Sequence, residues 1–186
     1  MKILKPSVSN LVFFIILVLF LIPQTRMQMK VDLNRIISKI NPITEIDKND
    51  QKQLSNYEFT ITGINAPNEN FKSFKNEVIF INYWATWCPP CVAEMPAMQK
   101  LYNKLQNEVN FVFVTTDKSN IVTDFLKNNN YSFPVYHINN KLPQEIDYTS
   151  LPTTLVIDKE GNIIVKKVGA ADWNSKKVHT LLENSL

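Results

Sequence analysis

Trp84–Ala85–Thr86–Trp87–Cys88–Pro89–Pro90–Cys91 decides how the rest of this chain reads. Just before it, Val78, Ile79, Phe80, Ile81, Asn82 and Tyr83 make a nearly unbroken apolar run, the pattern of a strand buried on both faces. Just after it, Met95, Met98, Leu101, Tyr102 and Leu105 recur at three- and four-residue steps, the stripe of an amphipathic helix. Two cysteines therefore stand where a buried strand hands over to a helix. A thiol there faces free backbone N–H groups and the positive end of the helix dipole, both of which favour thiolate. The spacing predicts a redox dithiol, with Cys88 half open to solvent at the helix mouth and Cys91 one turn further in.

The chain has 186 residues, enough for one domain with a sizeable core. Its formal charge of +3 is unevenly placed: residues 1–55 hold eight Lys/Arg against four Asp/Glu, and residues 56–186 hold twelve against thirteen. Both arginines, Arg26 and Arg35, lie in the first part, so no basic face is left on the folded part to grip nucleic acid. Two cysteines make no disulfide framework, and with only His137 and His179 as further soft ligands the pair does not read as a metal site.

Residues 1–25 read as a membrane address. Lys2 and Lys5 precede residues 11–22, which carry no polar side chain, and the uncharged interval 6–25 has about the length of a membrane-spanning helix. The run ends Leu21–Ile22–Pro23–Gln24–Thr25–Arg26, without the small residues of a cleavage site, which favours an uncleaved anchor over a signal peptide. Either reading puts the remainder on the extracytoplasmic side. Residues 26–56 read as a linker or stalk, with a short helix marked by Leu33, Ile36, Ile37 and Ile40 and stopped at Pro42.

From Tyr57 the pattern alternates. Residues 58–62 read as a short strand, 65–76 as a polar connection with a helical turn, and 111–115 as a second buried strand. Residues 121–127 read as a helix capped by Ser119 or Asn120, and 128–130 as its end. Residues 153–158 and 163–168 are strands of a hairpin turning at Gly161, and Val178, Leu181 and Leu182 mark a closing helix. Two β-α-β crossovers and a hairpin predict an α/β fold, a mixed sheet with helices on both faces.

This order resembles the thioredoxin fold. The stretch Asn82–Pro96 and the segment Leu151–Pro–Thr–Thr–Leu–Val–Ile–Asp–Lys–Glu–Gly161 are similar, more closely, to the membrane-tethered thiol-disulfide oxidoreductases of the TlpA/ResA type. The likeness covers residues 57–186. It implies that Pro152 is cis and faces the cysteines, and that the backbone edge at Leu151 pairs with an extended substrate strand. It also implies an acid at Glu94 and no cofactor beyond the dithiol. Where thioredoxin carries a buried Asp, six residues before the first cysteine, this chain has Asn82, which cannot take a proton.

The expected chemistry starts at Cys88, which as thiolate attacks a substrate disulfide; Cys91 then resolves the mixed disulfide. Pro89 and Pro90 fit a first helical turn and delete two N–H groups that could stabilise the thiolate, leaving that of Cys91. A moderately lowered Cys88 pKa and a comparatively reducing couple follow. Glu94 reads either as proton acceptor for Cys91 or as a first-turn carboxylate favouring the helix dipole. Trp87 and Pro89 read as substrate platform, Trp84 and Trp173 as packing. The expectation is an extracytoplasmic reductant of protein disulfides, with cytochrome c maturation-type clients implied by the resemblance. An oxidising exterior makes an electron donor in the membrane necessary. Two alternatives stay open: an oxidase or isomerase of secreted proteins, and a tethered binding module whose disulfide is static.

Overall fold

The apolar runs read from the sequence become the middle of one sheet. The computed structural model describes residues 8–139 and 142–186; Lys2, Lys5 and Pro6 of the basic N-terminal flank lie outside the described residues. The strands are β1 (Thr60–Gly63), β2 (Glu69–Asn70), β3 (Ile79–Tyr83), β4 (Asn110–Val114), β5 (Val135–His137), β6 (Thr153–Ile157) and β7 (Ile163–Val168), in spatial order β2-β1-β5-β4-β3-β6-β7. The helices are α1 (Val8–Leu21), α2 (Pro23–Ile40), α3 (Pro89–Leu105), α4 (Ser119–Asn129) and α5 (Lys176–Ser185).

The pairs β3–β4 and β4–β5 are parallel, whereas β3–β6 and β6–β7 are antiparallel, so the sheet is mixed as expected. Among the described residues, the α-helices that pack on the sheet lie on one face only, against the expectation of helices on both. Two successive right-handed crossovers step in the same direction, from β3 through α3 to β4 and from β4 through α4 to β5, which puts both helices on one face. There Met95, Met98 and Leu101 of α3, Val122 and Leu126 of α4 and Leu182 of α5 meet Phe80, Phe111 and Phe113. The opposite face is closed by two 3-10 turns, Phe71–Phe74 and Gln144–Ile146, and by Leu54 and Phe59. Phe59 and Phe71 stack there with ring centroids 4.4 Å apart.

Four further details depart from the sequence reading. The strand β5 was not foreseen. The cap of α4 is Lys118, without a side-chain hydrogen bond, rather than Ser119 or Asn120. The short stalk helix is the 18-residue α2, which begins at Pro23 and packs along α3. The apolar N-terminal run is broken: Ile22 is extended (φ −82°, ψ 119°), as a residue before proline tends to be, which ends α1 after 14 residues. No helix among the described residues is long and apolar enough to cross a membrane.

The segment after α2 is pinned to the domain rather than hanging free. Ile46 N–H donates to the Ile164 carbonyl at 2.8 Å, Leu54 N–H to Gly161 at 2.9 Å, and Ile163 N–H to Lys52 at 2.8 Å. Ile43 and Leu54 are buried in the two halves of the core.

A pair of glycine substitutions tests this packing. A Cβ on Gly63 would lie 1.8 Å from the Ala66 carbonyl oxygen, whereas Gly169, at φ +83°, has open space around it. Gly63→Ala is expected to lower stability by about 3 kcal/mol and Gly169→Ala by about 1 kcal/mol, read from urea unfolding midpoints. Equal losses would contradict the close backbone approach at Gly63.

Candidate active site

The strand β3 ends at Tyr83, and the next five residues carry the chain to α3. Trp84 N–H donates to the Val114 carbonyl at 3.0 Å, which keeps this segment beside the carboxyl end of β4. Cys88 is the N-cap of α3 (φ −93°, ψ 104°), with Pro89 and Pro90 in the first turn. The N–H of Cys91 donates to Cys88 Sγ at 3.3 Å. It is the backbone donor that the two prolines leave over. The cysteines form a disulfide, with Cα atoms 5.3 Å apart.

Exposure of the first cysteine differs from the expectation. Cys88 is 4% exposed in the disulfide, not half open, because it belongs to the same apolar cluster as Trp84, Ala85 and Cys91. Trp87 is the open member of the motif, at 66%. Its Nε1 donates to Asp117 Oδ1 at 3.1 Å, while Thr86 donates through N–H and Oγ1 to Asp117 Oδ2 at 2.7 and 2.9 Å. His137 Nε2 lies 2.8 Å from the Asp117 carbonyl oxygen. Asp117 thus clamps the turn that presents Trp87, and the sequence reading missed it. Its signal was positional: it lies just past β4, at the carboxyl end of a strand parallel to β3.

The register of β6 brings the distant segment to the same place. Thr153 pairs with Tyr83, so Leu151 and Pro152 sit at the sheet end where β3 hands over to the cysteines. The Leu151–Pro152 bond is cis, and the Pro152 carbonyl accepts from Gly169 N–H at 2.9 Å. Leu151 packs against the cluster that holds both cysteines, and its backbone amide and carbonyl have no hydrogen-bond partner among the described residues. Pro89 is half-buried beside Trp87 in a shallow cleft whose other wall is Pro23, Arg26, Met27 and Lys30 of α2.

Glu94 lies in the second turn of α3 rather than the first, and it is 1% exposed. Its carboxylate accepts from Asn82 Nδ2 at 3.1 Å, Trp173 Nε1 at 3.0 Å and Ala171 N–H at 3.2 Å. A surface carboxylate that merely favours the helix dipole is not what the fold builds. Burial pushes the Glu94 carboxyl up to about 8, against the pull of the hydrogen bonds from Trp173, Ala171 and Asn82, which favour the anion. Asn82 occupies the acid's place in thioredoxin as a donor, its Nδ2 also reaching Thr154 Oγ1 at 2.8 Å. Trp173 packs edge-on against Phe80 and holds Glu94, so it does both jobs. Among the described residues no group of three or more His, Cys, Asp or Glu side chains could hold a metal ion.

A sheet of this topology, with a Cys-x-x-Cys disulfide at the start of a helix and a cis-proline segment beside it, defines the class of thioredoxin-like disulfide proteins. The comparisons agree. A model of the Redoxin family matches residues 48–182, and the chain belongs to that family. It is 33% identical over 114 residues to the thiol-disulfide oxidoreductase ResA of Bacillus cereus (strain ZK / E33L), covering 60% of this chain and 66% of that one. It is 30% identical over 124 residues to ResA of Bacillus subtilis (strain 168), covering 65% and 68%. The chain thus spans about two thirds of the length of these curated relatives. A DsbF homologue from Corynebacterium diphtheriae shares the fold, with a TM-score of 0.62 at 22% identity over 77% of this chain and 93% of that one.

The Glu94 site makes a pH prediction. Its folded pKa of about 8 stands above the ordinary carboxylate value, so the folded state holds the proton more tightly. That contribution is full below about pH 4 and is lost as pH rises towards 8, with a slope approaching about 1.4 kcal/mol per pH unit. Thermal unfolding of the oxidised protein should show this fall, and Glu94→Gln should flatten it. Parallel curves for the two proteins would contradict the burial of an ionising carboxyl.

Proposed function

We propose that this chain is a thiol-disulfide oxidoreductase, held on the extracytoplasmic side of a membrane by its N-terminal segment and working as a reductant of protein disulfides. The observation that carries the reading is the lone N–H of Cys91 aimed at Cys88 Sγ at the start of a helix. In the dithiol form that N–H stabilises the Cys88 thiolate, helped by the helix dipole. One donor instead of three gives a moderate effect, in keeping with a comparatively reducing couple.

The thiolate of Cys88 attacks one sulfur of a substrate disulfide. The Cys88–substrate bond forms, the substrate's S–S bond breaks, and the substrate's other sulfur leaves as thiolate. Cys91 gives up its proton and attacks the Cys88 sulfur, forming the intramolecular disulfide and releasing the second substrate thiolate. Glu94 lies three residues after Cys91, on the same face of α3, and its raised pKa is close to that of a free thiol. Matched values suit it to exchange a proton with Cys91 in this step. Asp117, Asn82 and Trp173 act as positioning residues, the first for Trp87 and the other two for Glu94.

The substrate enters as an extended strand. The unpaired backbone at Leu151 offers it main-chain hydrogen bonds, and Trp87 and Pro89 offer an apolar platform. Return to the dithiol requires two electrons from a donor in the membrane, since the exterior is oxidising. Cytochrome c maturation-type proteins are the client class that the sequence resemblance to the TlpA/ResA type suggests.

The burial of Cys88 is the one observation favouring a static bridge in a binding module. Trapping separates the two readings. Cys91→Ser expressed as the full chain in its native host should accumulate mixed disulfides that reductant dissolves, at least tenfold above Cys88→Ser. Equal, background capture by both variants would establish the static bridge.

A further inference from the structure

The helix α2 has two opposite faces, and only one is used by the fold. At 100° per residue, Met27, Val31, Asn34 and Ser38 share one side. Val31 and Ser38 are buried there, at 2% and 7%, where α2 packs along α3. Met29, Leu33, Ile36, Ile37 and Ile40 share the other side and point away from the protein. Leu33 is 58% exposed, Ile36 65% and Ile40 78%. This is the stripe that the sequence marks as a helix face, turned outwards. An apolar face of this length left in water carries a cost that a contact would remove.

Two further observations say what covers it. Lys30 borders the stripe on the Ile37 side and Lys39 lies towards the Ile36 side, Arg26 stands within its angular range one turn before Met29, and all three are exposed, whereas Arg35 lies nearer the domain side. Against them stands one acid within α2, Asp32, which pairs with Arg35 at 3.3 Å. A second copy of the helix laid on this stripe would oppose cation to cation, whereas a lipid surface opposes each cation to a phosphate. The second observation is continuity. One extended residue, Ile22, separates α2 from α1, whose Leu11, Val12, Phe13, Phe14 and Leu17 are also exposed. An exposed apolar stripe with basic side chains at its edges is the make-up of a helix lying in the lipid interface, here with the opposite side packed on its own domain.

We infer that α2 lies on the membrane surface, with Met29, Leu33, Ile36, Ile37 and Ile40 in the headgroup–acyl boundary, and that it holds the dithiol beside the bilayer. The inference deepens the tethered reading above and rests on it. The break at Pro23 lets the chain turn from the apolar α1 into an interfacial helix. The first turns of α2, next to that break, are also the wall of the cleft at Trp87 and Pro89. The domain is thus fixed in one orientation, with its reactive end close to the lipid and within reach of a membrane-embedded electron donor.

Photo-cross-linking of the full chain tests this. The protein is reconstituted in phosphatidylcholine–phosphatidylglycerol vesicles carrying a diazirine phospholipid, and adducts are mapped by mass spectrometry. Adducts are expected on α1 and, in α2, on residues 29–40 of the outward stripe but not on Val31 or Ser38. Leu33→Asp with Ile36→Asp should cut the α2 adducts at least tenfold and leave those on α1 and the thermal unfolding of the domain unchanged. Adducts confined to α1 would overturn the interfacial helix while leaving the tether standing. Adducts on neither helix would overturn both. In a parallel sample carrying a diazirine amino acid at position 33, links to a second chain in place of lipid would also overturn the inference.

Discussion

One hydrogen bond, from the Cys91 amide to the Cys88 sulfur, is the constraint from which the site follows. It exists because a strand buried on both faces delivers the chain to the start of a helix, where amides have no intrahelical acceptor. Pro89 and Pro90 then remove the two other amides of that turn. In the proposed dithiol form this leaves one amide to stabilise a Cys88 thiolate. A sequence with ordinary residues in those positions would put more donors on the sulfur and poise the couple towards oxidation. The rest of the fold serves to hold this turn: β4 through Trp84, Asp117 through Thr86 and Trp87, and β6 through the segment at Pro152.

Below the sulfurs lies a second, buried arrangement. The Glu94 carboxyl of α3 accepts from Asn82 of β3 and from Trp173 and the Ala171 amide in the connection before α5, so two distant parts of the chain converge on it. Desolvation opposes the anion and three donors favour it, and desolvation wins. A carboxyl of that kind is a costly thing to bury for packing alone, since an apolar side chain would fill the space without the penalty. In the proposed mechanism, its place on the Cys91 side of α3 is what that cost serves.

Much of this was legible in the residues. The buried runs at β3 and β4 announce themselves by length and apolarity, and α3 by its stripe. The turn at Gly161 is written in the residue that tolerates its φ of +86°. The strand β5 was not legible, because three residues following a proline carry no periodicity to read. A position at a helix mouth predicts a half-open Cys88, but the cluster around Trp84, which no local spacing reveals, covers it. Glu94 was ambiguous because spacing shows which helix face a residue shares, not what covers that face. The same limit explains α2: Leu33, Ile36, Ile37 and Ile40 mark a helix correctly, yet the fold packs the opposite side against α3. Asp117 and Trp173 reach the site across many residues, and such pairs leave no local trace.

The account stands or falls on which sulfur reacts and how readily. The most direct measurement is alkylation of the fully reduced chain across pH 5 to 10, with each cysteine followed by mass spectrometry. The account predicts that Cys88 is modified first, with an apparent pKa moderately below the free-thiol value of about 8.5, while Cys91 is protected. Modification of Cys91 first, or of both together with unshifted values, would contradict it.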